Sequence, residues 1–393
     1  MYQNFEYYTP TKVIFGKETE LRTGELIREQ GSKKVLIHFG GKSAARSGLL
    51  DRIRHSLEEA GISYVTLGGV VPNPHLSLVY EGITLCKKES VDFILAVGGG
   101  SVIDSAKAIG YGVANEGDVW DFFEGKREAE ACLPLGVVLT IAAAGSEMSD
   151  GCVITDEREG LKRAYDADLC RPRFAVMNPE LTMTLPAYQT ASGVADILMH
   201  TMERYFNHSH NMEITDVISE ALMRNVMKYA RILVDEPQNY EARAEIMWAG
   251  SLAHNGLTGC ATGGGDWASH NLEHELGGMF DVAHGAGLAA IWGSWARYVN
   301  HAAKDRFEKF AVNVLGVVPE GTKEETIDKG IRAMEDFYRS IHMPTSLTEL
   351  GISPTEEQIE RMAASCEQAS GGANGCVVPL KKEDMAEIYR MAL

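Results

Sequence analysis

The chain has 393 residues, more than one compact unit ordinarily needs. Apolar residues make up 45% and charged residues 23%, which excludes a disordered chain. Lys and Arg number 37 against 55 Asp and Glu, and the resulting net charge of −18 repels phosphate backbones and argues against nucleic acid as a partner.

The opening MYQNFEYYTPTKVIFG lacks the basic and apolar regions of a signal peptide. β-Branched runs predict strands at Lys34–Phe39, Ser63–Leu67, Val91–Val97 and Gly136–Thr140. Helical spacing links Leu49, Ile53, Leu57 and Ala60, and again Ile103, Ala106 and Ile109. Strands alternating with helices predict βαβ units and a parallel sheet. A hairpin is expected at Cys152–Thr155 and Leu161–Tyr165, turning through Asp156–Gly160. Beyond Pro186 strand signals nearly vanish. Apolar stripes at Val217, Ala221, Val226, Ala230 and Leu233, and at Ile327, Ile331, Met334, Phe337 and Ile341, predict long helices. The texture changes near Asn178–Pro186, which divides an α/β domain, residues 1–182, from an all-helical domain, residues 183–393. The longest apolar stretches, such as Gly136–Gly145, are about half of a membrane span. Seven Cys without paired spacing point to a reducing compartment, so a soluble cytoplasmic protein is expected.

Two turns carry phosphate-binding chemistry. Val91–Val97 runs into Gly98-Gly99-Gly100-Ser101 and then directly into a helical pattern. Glycines admit positive φ and close approach of a ligand, and the helix start presents unpaired N–H groups to an anion. A tight turn that binds nothing has the same composition. The second turn, Gly40-Gly41-Lys42-Ser43, follows the strand Lys34–Phe39. A carboxylate near such a strand end holds a ribose 2′-hydroxyl. This turn has none; its cation and hydroxyl suit a 2′-phosphate and favour NADP over NAD, unless Lys42 is a plain surface lysine.

Metal chemistry is suggested in the helical half. Asp196 and His200 are four residues apart, His270 and His274 repeat that spacing, and His284 follows beside Gly285. One carboxylate with imidazoles suits a divalent transition metal, although spacing alone does not select which of these residues bind. His208 and His210 sit in a polar stretch and read as surface residues. Cys260 and Trp267 line either a pocket or the core.

Taken together these residues form a pattern that resembles the iron-containing (group III) alcohol dehydrogenases, in particular their NADPH-dependent butanol dehydrogenase and aldehyde reductase branch. The resemblance rests on Phe39-Gly40-Gly41-x-Ser43, Gly98-Gly99-Gly100-Ser101-x-x-Asp104-x-x-Lys107, Asn178-Pro179-Glu180-Leu181 and Leu185-Pro186. It continues through Ser192-Gly193-x-x-Asp196-x-x-x-His200, Asp266-Trp267-x-x-His270-x-x-x-His274-Glu275 and Asp281-x-x-His284-Gly285. The family's T-x-P-A-T-G-S-E turn is altered, with Ala142 and Ala144 in place of the proline and second threonine between Thr140 and Glu147.

The resemblance implies a Rossmann-like dinucleotide-binding domain and an all-α metal-binding domain in a dehydroquinate synthase-like architecture. It implies Asp196, His200, His270 and His284 as metal ligands, with Fe(2+) first and Zn(2+) second, and His274 as a proton-transfer residue. For NADP(H) it implies Gly40, Gly41 and Ser43 at the adenosine ribose with Asn73 nearby, and Gly99, Gly100, Ser101 and Asp104 around the pyrophosphate turn. Thr140, Ser149, Val153, Lys162 and Leu181 would follow along the cofactor path. The implied activity is interconversion of primary alcohols and aldehydes by a homodimer.

Three other readings share parts of this pattern. A zinc-dependent polyol dehydrogenase is close kin. A dehydroquinate synthase-type lyase would line its substrate site with extra cations, but Ala249–His284 holds no Lys or Arg. A non-catalytic metal-binding module has no use for two phosphate-binding turns.

Overall fold

Eight strands organise the first half of the chain: β1 (Lys12–Phe15), β2 (Lys34–Phe39), β3 (Ser63–Leu67), β4 (Phe93–Gly98), β5 (Leu135–Leu139), β6 (Gly151–Asp156), β7 (Leu161–Asp166) and β8 (Phe174–Met177). The computed structural model describes residues 3–208 and 212–393. Six strands make a parallel sheet in the order β1-β8-β5-β4-β2-β3, and β6 pairs antiparallel with β7. This is the α/β fold expected from the alternating periodicities. Every residue of β4, β5 and β8 is buried, as in parallel strands covered on both faces. Sequence patterning missed β1 and β8. Each has four residues, too few for a period to show.

One side of the sheet buries Val35, Ile37, Leu95 and Val97 against Ile53 and Leu57 from the helix Leu49–Glu59. That helix meets the helix Thr23–Glu29 closely, because a Cβ on Gly24 would stand 2.0 Å from the Ser56 carbonyl oxygen. The unit so formed is Thr9–Leu185.

A second unit comprises Pro186–Leu393 with the segment ending at Tyr8. Its described residues are helical apart from short turns and an isolated bridge between Asn374 and Leu380. Thr322 and Thr355 each close a capping box, fixing the starts of the helices Lys323–Ser340 and Glu356–Ala369. Ile327, Ile331, Met334 and Phe337 are buried as the stripe predicts.

The helix Glu213–Asp235 is different in its first turns. Val226, Ala230 and Leu233 are buried, while Val217 and Ala221 face outward. Its inward positions there are polar. Asp216 receives Arg306 at 2.6 Å, and Glu220 receives the Tyr205 hydroxyl at 2.8 Å. A buried polar network thus replaces the apolar face that the periodicity assumes. No disulfide joins any of the seven Cys, and no helix among the described residues is long and apolar enough to cross a membrane.

Candidate metal centre and dinucleotide turns

The helix Ala187–Tyr205 carries Asp196, His200 and Glu203 at spacings of four and three, so the three share one face, and all are buried. His270, Glu273 and His274 lie on the helix Ala268–Phe280, and His284 begins the helix His284–Val299. Gly285 permits a close approach: a Cβ there would stand 1.9 Å from the Ser192 carbonyl oxygen.

A single carboxylate oxygen is the hub. His200 Nδ1 lies 3.5 Å from Asp196 Oδ1, and the Nε2 atoms of His270 and His284 each lie 3.7 Å from it. Ligands at about 2.1 Å from a tetrahedral cation stand roughly 3.4 Å apart, which is close to these separations. Asp196 Oδ1, His200 Nδ1 and His270 Nε2 are buried with no hydrogen-bond partner among the described residues. Interiors avoid such atoms unless another group satisfies them. The residues present therefore fit a divalent cation held by three imidazoles and an aspartate. The donors of Asp196, His270 and His284 all lie within 4.8 Å of one another, and His200 joins them through Asp196.

Electrostatics agree with that fit. Burial, and then the neighbouring His254 and His270, hold His200 well below the usual imidazole range. Burial acts to lower His270 as well, but the Asp196 and Glu203 carboxylates outweigh it and carry His270 up to about 9. Burial acts to raise Asp196, and the imidazoles of His284 and His270 outweigh it and keep the carboxyl below its usual value. The buried Asp196 and Glu203 carboxylates thus favour a positive charge beside His270.

Around the cluster, His254 stacks on His200 at 3.9 Å between centroids. His274 sits one turn past His270, with its ring centroid 5.8 Å from that of His284. Trp267 adopts a left-handed backbone, φ 61°, and its indole N–H donates to the Gly264 carbonyl at 2.7 Å. The Cys260 thiol is turned to the Gly256 carbonyl at 3.7 Å. His208 is exposed, and His210 lies outside the described residues.

In the α/β unit, Gly98 ends β4 and the helix Gly100–Ala114 starts almost at once. None of Gly98, Gly99 and Gly100 has positive φ, which corrects the conformational reason expected for them. Packing demands them instead. A Cβ would meet Val102 at 2.4 Å from Gly98, Ile141 at 2.8 Å from Gly99, and Ala144 at 2.8 Å from Gly100. The segment after β5 therefore lies directly against the glycine turn, and Thr140 N donates to the Gly98 carbonyl at 3.0 Å.

Two side chains from the helix Gly100–Ala114 hold that segment. Asp104 Oδ1 accepts from Ser146 Oγ at 2.5 Å, and Oδ2 accepts from Val153 N at 3.0 Å. Lys107 is fully buried and donates to the carbonyls of Ser146, Ser149 and Gly151 at 2.8, 3.0 and 2.7 Å. Asp104, Ser149 and Val153 thus belong to one hydrogen-bonded block beside Gly99, Gly100 and Ser101. Gly40 and Gly41 follow β2, and Ser43 opens the short helix Ser43–Arg46. Asn73 is buried with φ 52°, Lys162 is buried on β7, and Leu181 packs on the core of this unit.

Sequence reasoning overlooked Glu203, Glu273 and the role of Lys107. Glu203 is seven residues past Asp196 and Glu273 three past His270, so the helical repeat that links the candidate ligands also points to both glutamates.

Comparison with known proteins assigns the family. Residues 10–179 match the iron-containing alcohol dehydrogenase model, and residues 190–393 match the C-terminal model of the Fe-containing alcohol dehydrogenase family. The chain belongs to the iron-containing alcohol dehydrogenase family. It is 39% identical over 390 residues to NADH-dependent butanol dehydrogenase A of Clostridium acetobutylicum, covering 98% of this chain and 99% of that protein. To the NADPH-dependent aldehyde reductase YqhD of Escherichia coli it is 35% identical over 353 residues, 89% of each chain. The crystal structure of NADH-dependent butanol dehydrogenase A from Thermotoga maritima superposes with a TM-score of 0.95 at 39% identity, covering 99% of this chain and 98% of that one. The protein is an alcohol/aldehyde oxidoreductase, and its family implies a divalent metal and a nicotinamide cofactor.

Proposed function

We propose that the chain is a metal-dependent, NADP(H)-linked oxidoreductase of primary alcohols and aldehydes that works chiefly as an aldehyde reductase. The observation that carries the metal half of this reading is the set of three imidazole nitrogens within 3.7 Å of Asp196 Oδ1. Asp196, His200, His270 and His284 would hold the cation, with Fe(2+) preferred over Zn(2+) on family grounds. When bound, the divalent metal supplies Lewis acidity toward an alcohol or carbonyl oxygen.

The chain's own residues supply the rest. The backbone at Gly99, Gly100 and Ser101 receives the pyrophosphate at the start of a 15-residue helix. Asp104 and Lys107 keep Ile141 and Ala144 against that turn, so the cradle is already shaped before the cofactor arrives. His274 carries the proton exchanged at the substrate oxygen. The absence of Lys and Arg from Ala249–His284 supports an uncharged substrate. A homodimer and a cytoplasmic setting complete the reading, and both rest on the family resemblance and composition.

The NADP(H) preference rests on Gly40-Gly41-Lys42-Ser43, a turn with a cation, a hydroxyl and no carboxylate. The relatives are named on both sides of this question, NADH for the butanol dehydrogenases and NADPH for the aldehyde reductase. Rates with butyraldehyde on metal-reconstituted enzyme test it. We expect kcat/KM for NADPH to exceed that for NADH by tenfold or more, on the order of 1.4 kcal/mol. A Cβ at Gly41 meets nothing within 4 Å, so the backbone there has room for the first side-chain atom of Gly41→Asp. It should lower NADPH efficiency by roughly tenfold to a hundredfold through like-charge repulsion and spare NADH. A wild-type preference for NADH overturns the reading of this turn.

A further inference from the structure

Two fully buried glutamates stand directly behind two of the imidazoles. The Glu203 side chain is 1% exposed; its Oε1 accepts the His270 backbone N–H at 2.9 Å and lies 3.1 Å from His270 Nδ1. The Glu273 side chain is 0% exposed, and its Oε2 is hydrogen-bonded to His284 Nδ1. Both rings therefore turn Nδ1 toward a carboxylate and Nε2 toward Asp196 Oδ1.

We propose that Glu203 and Glu273 are positioning residues that fix the tautomer and ring angle of His270 and His284, and so set the protein's metal affinity. The inference rests on the metal assignment made above. An ionised carboxylate only accepts hydrogen bonds, so it selects the Nδ1–H tautomer and leaves the Nε2 lone pair for the cation. It also raises the electron density at that lone pair.

Independent features show that these side chains are built in. A Cβ on Gly287 would stand 2.8 Å from Glu273 Cγ, so that glycine makes room for the glutamate. Glu203 is held twice by one residue, at the backbone and the ring of His270, which ties ring orientation to the start of the helix Ala268–Phe280. Burying a carboxylate is costly unless its partners compensate. A purely structural role needs no such alignment of both Nε2 atoms on one oxygen.

The test uses the full-length apoprotein titrated with Zn(2+) by competition against a chromophoric chelator, for wild type, Glu203→Gln, Glu273→Gln and the two alanine variants. NADPH affinity and the apoprotein unfolding midpoint are measured alongside. Each alanine variant is expected to bind Zn(2+) 10- to 100-fold more weakly, with NADPH affinity within about twofold of wild type. The glutamine variants, whose amide oxygen still accepts the Nδ1–H, should fall in between. Should one position fail to fold, the other decides. Wild-type Zn(2+) affinity in folded variants overturns the inference, as does a loss of NADPH affinity equal to the loss for Zn(2+). A wild-type protein with no saturable Zn(2+) site instead overturns the metal assignment, and this inference falls with it.

Discussion

Replacing His270 with alanine should lower aldehyde turnover by on the order of a thousandfold or more, about 4 kcal/mol of barrier, while NADPH binding stays within about twofold. His270 Nε2 is one of three imidazole donors arrayed around Asp196 Oδ1, and the atom has no hydrogen-bond partner among the described residues. Its loss removes a proposed ligand and also takes away the ring that faces the buried Glu203 carboxylate. The glycine turns proposed to hold the dinucleotide belong to the Thr9–Leu185 unit and contain none of these residues, which is why cofactor affinity should persist. Single-turnover rates with butyraldehyde and fluorescence titration with NADPH separate the two effects. Near-normal turnover in the variant would contradict the role given to the cluster.

The second large effect is expected at Lys107. Its ammonium lies fully buried and donates to the carbonyls of Ser146 and Ser149, between β5 and β6, and of Gly151, which opens β6. Lys107→Met has nearly the same length but leaves those acceptors without a donor, at a cost of roughly 1–3 kcal/mol for each that water does not reach. A total near 3–5 kcal/mol is expected in the unfolding free energy. The segment it releases is the one that packs Ile141 on Gly99 and Ala144 on Gly100, so NADPH affinity should fall as well, by about tenfold. Denaturant unfolding and NADPH titration read these outcomes. A variant as stable as wild type with unchanged NADPH affinity would show that Lys107 does not hold the turn.

The sheet was legible because its strands β2 and β3 are bounded by residues that break the β pattern, and their ends fall where the sequence places them. The two shortest strands, β1 and β8, were hidden because four residues carry no readable period. Spacing identified helical pairs such as Asp196 with His200, but not that His284, ten residues after His274, would share their centre. That depends on Gly285 seated against Ser192. Positive φ was not what Gly99 and Gly100 needed: they answer to Ile141 and Ala144, residues distant in sequence, while Gly98 answers to the nearby Val102. Likewise the polar inner face of the helix Glu213–Asp235 exists only because Arg306 and Tyr205 arrive from elsewhere to satisfy it. Local pattern reports local structure; partners that come from afar leave no local mark.

Anomalous diffraction from crystals grown with Fe(2+) or Zn(2+) under anaerobic conditions addresses the central claim most directly. The account predicts a single strong peak at about 2.0–2.3 Å from donor atoms of Asp196, His200, His270 and His284. A peak centred instead on Glu273, His274 and His284, the other group of donors within 4.8 Å of one another, or no peak at Asp196, would contradict it.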